Sequence, residues 1–242
     1  MTATPSKSTH TRALAVALAV LATACGSGGT SGSHPSLSGQ LRASEGGAAQ
    51  GPLRLALAWY PGLLAAEGEP ISQPGHIATQ DLAYEGALPQ AYTFSLQGAP
   101  PASVLQAMPE GYTGEGAVGV LLAYRDGNDN GALDTIPADG SPVDHVVGAS
   151  LDWAAAPAYL VAYLTEDQDP ASGLEAGFNL IEISDAEDAA VVPFGTAVPL
   201  TIGEGGPLLD LFVCEAAWDG SSAEVPCGLV PEEPALQAQP RR

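Results

Sequence analysis

The sequence predicts an all-β protein: an antiparallel β-sandwich, Ig-like or a related Greek key, with about nine strands and very little helix. Three observations carry this. Short segments alternate large apolar residues with other residues at a period of two, as strands with one buried face do. The chain holds 29 Gly and 21 Pro in 242 residues, which supplies turns at close spacing. Beyond the amino-terminal segment, no stretch of helical period runs long enough for a stable helix.

The elements follow in order. Leu53, Leu55, Leu57 and Trp59 alternate with Arg54, Ala56, Ala58 and Tyr60, which predicts a half-buried strand. Tyr92, Phe94 and Leu96 alternate with Thr93, Ser95 and Gln97 in the same way. Further strands are expected over 77–84, 117–124, 143–151, 158–164, 178–183, 198–202 and 208–214. Segment 101–108 has room for two turns of helix, and 153–156 reads as a bend stopped by Pro157. The Pro- and Gly-loaded stretch 98–116 reads either as a linker or as a long loop within one sandwich. A first half of three strands would bury too little apolar surface to stand alone, so one domain is expected over 37–230. Residues 231–242, rich in Pro, Glu and Gln, are expected to be a disordered tail.

Composition narrows the function. An apolar fraction of 45% is enough for a core. Lys and Arg total 7 against 28 acidic residues, and two of the seven, Lys7 and Arg12, lie in the amino-terminal segment. Without that segment the balance is 5 against 28, a net −23, with no lysine. Such a surface repels nucleic-acid phosphates and anionic lipid headgroups, which excludes charge-driven binding to either.

The first residues have the layout of a signal peptide: a polar stretch with Lys7, His10 and Arg12, an apolar run from Ala13 to Ala22, then Thr23, Ala24 and Cys25. The apolar run is about half the length a membrane-spanning helix needs. Leu21-Ala22-Thr23-Ala24-Cys25 resembles the lipobox of bacterial lipoprotein precursors, with the Leu one position further from the Cys than the family prefers. The resemblance implies that residues 1–24 are removed and that Cys25 receives the lipid, anchoring the protein to a membrane of the cell envelope. The Gly- and Ser-rich stretch after Cys25, to about residue 36, reads as a flexible tether. Position 26 is Gly, not the Asp that marks inner-membrane retention in enteric bacteria, which leaves an outer-membrane, periplasmic or extracellular placement open.

With Cys25 set aside, Cys214 and Cys227 remain as an even pair in an oxidising compartment, and a disulfide is expected between them. It would close a loop of about 14 residues, which the chain-entropy model values at roughly 3 kcal/mol. Two metal-ligating thiolates are the other reading, and they lack nearby His or further Cys.

One constellation carries chemistry. Directly after the strand that contains Val118, Val120, Leu122 and Tyr124 comes Asp126-Gly127-Asn128-Asp129-Asn130-Gly131-Ala132-Leu133-Asp134, which matches the first nine positions of a calcium loop. A hard cation takes six to eight oxygens, and alternate positions bring Asp126, Asn128 and Asn130 to one centre while Gly131 allows the turn. The Ala132 carbonyl and Asp134 would follow as ligands, with Leu133 pinning the loop to the core. Where an EF-hand has its bidentate Glu, this chain has Pro137. The segment therefore resembles the calcium loops that connect strands in extracellular β modules, in which a later acid completes the set. Asp139 and Asp144 are the candidates. The ligand count predicts weak Ca²⁺ affinity, on the order of 10⁻⁴ to 10⁻³ M. A bare Asp-Gly or Asn-Gly turn without an ion is the competing reading.

No catalytic set stands out. Asp144, His145 and Ser150 are hydrolase-triad residue types, but the chain has no G-x-S-x-G. A zinc site would have to join His76, His145 and an acid from distant strands. Asp185, Glu187 and Asp188, and likewise Glu166, Asp167 and Asp169, read as solvated turns. Trp59 reads as core, and Trp218 as an exposed contact residue within the loop of the expected disulfide. The strand–loop–strand middle region also resembles that of β-rich lipoproteins of high-GC bacteria, a resemblance that brings no activity with it. The expectation is a lipid-anchored, calcium-stabilised, non-catalytic binding or structural module, with an envelope protein or glycan as partner. An envelope hydrolase acting on glycan or peptide is the alternative.

Overall fold

Strand β2 (Leu53–Tyr60) carries Leu53, Leu55, Leu57 and Trp59 on one face and Ala56, Ala58 and Tyr60 on the other, and all seven are buried. The period of two therefore sorts residues by size rather than by polarity. The expected half-buried strand is in fact covered on both faces, because the chain builds a core on each side of it. Arg54 is the one charged residue of this strand.

The computed structural model describes residues 34–44, 53–61, 74–82, 87–137, 140–151, 157–185, 188–203, 209 and 211–215. The other strands are β1 (Ser36–Ala43), β3 (His76–Asp81), β4 (Gln90–Ser95), β5 (Gln106–Ala107), β6 (Glu115–Arg125), β7 (His145–Ala149), β8 (Ala158–Leu164), β9 (Gly177–Asp185), β10 (Asp188–Val192) and β11 (Leu200–Ile202). The larger sheet runs β10-β9-β8-β6-β2-β3, with β5 and β7 also paired to β6, and every pairing in it is antiparallel. The smaller sheet runs β11-β1-β4, antiparallel between β1 and β4 and parallel between β1 and β11. The architecture is thus an all-β sandwich with more strands than expected and one parallel pair.

Between the two sheets lies one core, in which Leu37, Leu41 and Phe94 of the smaller sheet meet Leu55, Leu57 and Leu121 of the larger. Gly39 lets the chain close there: a Cβ at this position would stand 1.9 Å from the Val198 carbonyl oxygen. The outer face of the larger sheet is covered by loops. Leu133, Ile136, Leu174 and Val213 pack onto Ala56, Val120, Leu122 and Tyr124. Ile136 N–H donates to the Val213 carbonyl (2.8 Å) and Glu215 N–H to that of Ile136 (2.9 Å), which fixes the segment after Asp134 against the sheet.

β6 meets β2 along 118–125 on one side. On its other side it pairs with β8 near its start and β7 near its end. Ser150 fills the gap between those partners, its Oγ accepting from Leu121 N–H at 3.0 Å while its own N–H donates to the Leu121 carbonyl at 2.8 Å.

Several boundaries differ from expectation. Among the described residues of 208–214, a 3-10 turn at Leu211–Val213 and an isolated bridge at Cys214 stand where a strand was expected. Within 101–108 lie a 3-10 turn, Ala102–Val104, and β5. β1 and β10 are additional: β1 begins where the tether was expected to end, and β10 starts at Asp188, which was read as part of a turn.

Candidate metal centre

β6 ends at Arg125, and the next residues cap their own backbone. Asp126 Oδ1 accepts from Asn130 N–H (3.2 Å) and Oδ2 from Gly131 N–H (2.8 Å). Asn128 Oδ1 accepts from Asn130 N–H (3.1 Å), and Asn130 Oδ1 from Ala132 N–H (2.7 Å). These short-range bonds coil the chain so tightly that Asp129 and Gly131 take φ values of 55° and 79°. Gly127 is required for a different reason, since a Cβ there would lie 2.0 Å from the Val143 carbonyl oxygen. Three of the expected ligands meet directly: the side-chain amides of Asn128 and Asn130 donate to Asp134 Oδ2 at 2.7 and 3.0 Å.

Asp144 holds the loop from below. It is fully buried, and its Oδ1 and Oδ2 accept from Gly127 N–H (2.7 Å) and Asp134 N–H (2.8 Å). Its first role is therefore to staple the two ends of the loop together. Asp139 lies outside the described residues, as do Cys25, Cys227, Trp153, Trp218, Glu187 and the expected signal peptide and tail. Cys214 is buried beside the Ile136 segment.

Four further residues belong to the site that its sequence motif does not contain. Thr79 of β3 donates its hydroxyl to the Gly131 carbonyl (3.1 Å). Arg54 of β2 lies beneath the turn, with Nε 2.8 Å from Asp126 Oδ2, Nη2 3.2 Å from Asp129 Oδ1, and Nη1 on Asp81. The Nε contact is ionic rather than a well-aligned hydrogen bond. Tyr124, opposite Arg54 in the ladder, is fully buried, and its hydroxyl has no hydrogen-bond partner among the described residues.

Charge and burial oppose each other here. Burial works to raise the Asp126 carboxyl, but the N–H groups of Gly131 and Asn130, together with Arg54, hold it below the ordinary carboxylate range. Burial raises the Tyr124 hydroxyl well above its usual value, and the Asp126 carboxylate raises it further.

The residue types of the loop are those a hard cation takes, although among the described residues no three His, Cys, Asp or Glu side chains converge as a metal-holding group. Asp126, Asn128, Asn130 and Asp134 offer side-chain oxygens, the Ala132 carbonyl is the next in order, and an oxygen that accepts one N–H retains a second lone pair. The Tyr124 hydroxyl is the orphaned polar atom that a metal-bound water would satisfy.

Asp144, His145 and Ser150 do not assemble as a triad, nor His76 and His145 as a zinc pair. Both Asp144 oxygens bond to backbone, Ser150 Oγ is taken by Leu121, and His145 and Ser150 stand about 16 Å apart along the extended chain. His76 pairs opposite Trp59 while His145 pairs with Arg125, itself opposite Leu53, so the two imidazoles sit roughly 20 Å apart along the sheet. A cleft of about 190 Å³ between β3 and the chain after β4 is floored by Trp59, Phe94 and Phe178, and the described residues that line it include His76 but neither His145 nor a carboxylate.

Comparison with protein-family models, curated proteins and solved structures returned no match, so a functional reading rests on the chemistry of these residues.

Proposed function

We propose that this chain is an exported, lipid-anchored protein of the bacterial cell envelope whose β-sandwich is stabilised by Ca²⁺ and serves as a non-catalytic binding or structural module. The observation that carries the calcium reading is the Tyr124 hydroxyl, buried without a partner beside a loop of alternating oxygen donors. The ion would be held by Asp126, Asn128, Asn130, the Ala132 carbonyl and Asp134. It would clamp the crossing from β6 to β7 onto the sheet through Leu133 and Ile136, both buried. Support for the address is the lipobox-like sequence ending at Cys25 and the tether after it. A Cys214–Cys227 disulfide in that oxidising compartment would tie the segment that pairs with Ile136. An envelope protein or glycan is the proposed partner.

Thermal unfolding of the full chain in millimolar calcium and in excess chelator tests the ion. The melting temperature should rise with calcium, and Asp134→Ala should abolish the rise. An identical melting temperature in both conditions would leave a bare turn. Palmitate labelling in a bacterial host tests the anchor: the label should enter the native chain and be lost in Cys25→Ser.

A further inference from the structure

We propose that Arg54 is a resident counter-cation that competes with calcium for Asp126 and thereby sets the affinity of the loop, an inference that rests on the calcium reading above. The register places Arg54 between Asp81 of β3 and Tyr124 of β6, on the face covered by the loop. Its side chain is only 18% exposed, and the guanidinium reaches three carboxylates at once. Asp126, the first ligand of the loop, is the buried one of the three; Asp81 and Asp129 are 83% and 85% exposed. Among the described residues Arg54 is the only arginine in an ion pair.

Two consequences follow from that placement. A guanidinium touching Asp126 sits against the carboxylate oxygen that the ion would share and repels a second positive charge beside it. The loop is thus held together without an ion, and a divalent cation enters only by drawing Asp126 away from Arg54. Asp81 and Asp129 provide the seat to which the guanidinium retreats, so Arg54 need not become an unpaired buried charge. Tyr124 distinguishes the two states: Arg54 neutralises the carboxylates yet leaves that hydroxyl without a partner, whereas a hydrated ion brings one.

Calorimetric titration of Ca²⁺ into the full chain and its Arg54→Gln and Arg54→Lys variants tests this. Arg54→Gln should bind about tenfold more tightly, and Arg54→Lys, which keeps the charge but loses the planar fork, should fall between it and the native chain. If Arg54→Gln folds only when calcium is present, seen as calcium-dependent recovery of its circular dichroism, the inference also stands. Should Arg54→Gln fail to fold under either condition, Arg54→Lys decides, and an affinity at or below native overturns the proposal. Equal or weaker binding by Arg54→Gln, with the native chain binding, overturns it while leaving the calcium reading intact. Absence of binding in all three chains overturns both.

Discussion

Arg54 Nε and Asp126 Oδ2 lie 2.8 Å apart beneath the turn that ends β6, joining the one charged residue of β2 to the first residue of the candidate metal loop. The Asp126 side chain is fully buried, so removing it leaves a largely enclosed guanidinium with two exposed carboxylates as its remaining partners. Asp126→Ala should cost about 3–5 kcal/mol in urea unfolding without calcium. A loss below about 1 kcal/mol would mean the pair behaves as a surface one.

The same residue governs acid stability. Its folded-state carboxyl titrates below the ordinary value, so it contributes stability above about pH 4 that is lost as pH falls through the folded value. Asp126→Asn should therefore flatten the acid limb of a plot of melting temperature against pH. An unchanged acid limb in the variant would place the acid-sensitive groups elsewhere.

Asp144 separates staple from ligand. Replacing it with Ala orphans the N–H groups of Gly127 and Asp134 and should cost about 3 kcal/mol in chelator. As a staple, its loss should leave a measurable rise in melting temperature on adding calcium. Disappearance of that rise would instead make Asp144 a ligand.

At the alkaline end, burial and the hydrogen bond to Glu182 push the Tyr159 hydroxyl up to about 12. Stability is then full below about pH 10 and falls as pH rises towards 12, because the unfolded chain releases the proton first. Tyr159→Phe should soften that decline. Spectrophotometric titration showing Tyr159 ionising near 10 in the folded protein would contradict it.

Gly127 has no substitute at its close approach to Val143. Gly127→Ala should destabilise by about 3 kcal/mol through displacement of the loop, read from equilibrium unfolding. Full native stability in this variant would mean the backbone relaxes freely there.

Much of the sandwich was legible because turn residues punctuate it and because strands such as Gln90–Ser95 alternate cleanly. β1 was not, since Ser36, Ser38, Gly39 and Gln40 resemble the tether before them, and only Leu37 and Leu41 carry its burial. The second core was hidden as well: small apolar residues such as Ala56 and Ala58 look like a weakly polar face until loops are seen to cover them. The candidate loop could be read because its donors are consecutive in sequence. Arg54, Thr79 and Asp81 could not, because strand register brings them to the loop from distant positions, and Tyr124, two residues before the loop, reads in the sequence only as a core residue of its strand. The one signal was a lone arginine in an otherwise uncharged strand.

A calcium titration followed by amide nitrogen–proton NMR on the full chain tests the central claim most directly. With an ion at the loop, shifts through the millimolar range should be concentrated at Gly127 to Asp134, where Asp126 and the Asn side chains already hold the N–H groups, and at Thr79 and Arg54 Nε. A spectrum that does not change, or changes spread evenly over exposed acids, would contradict it.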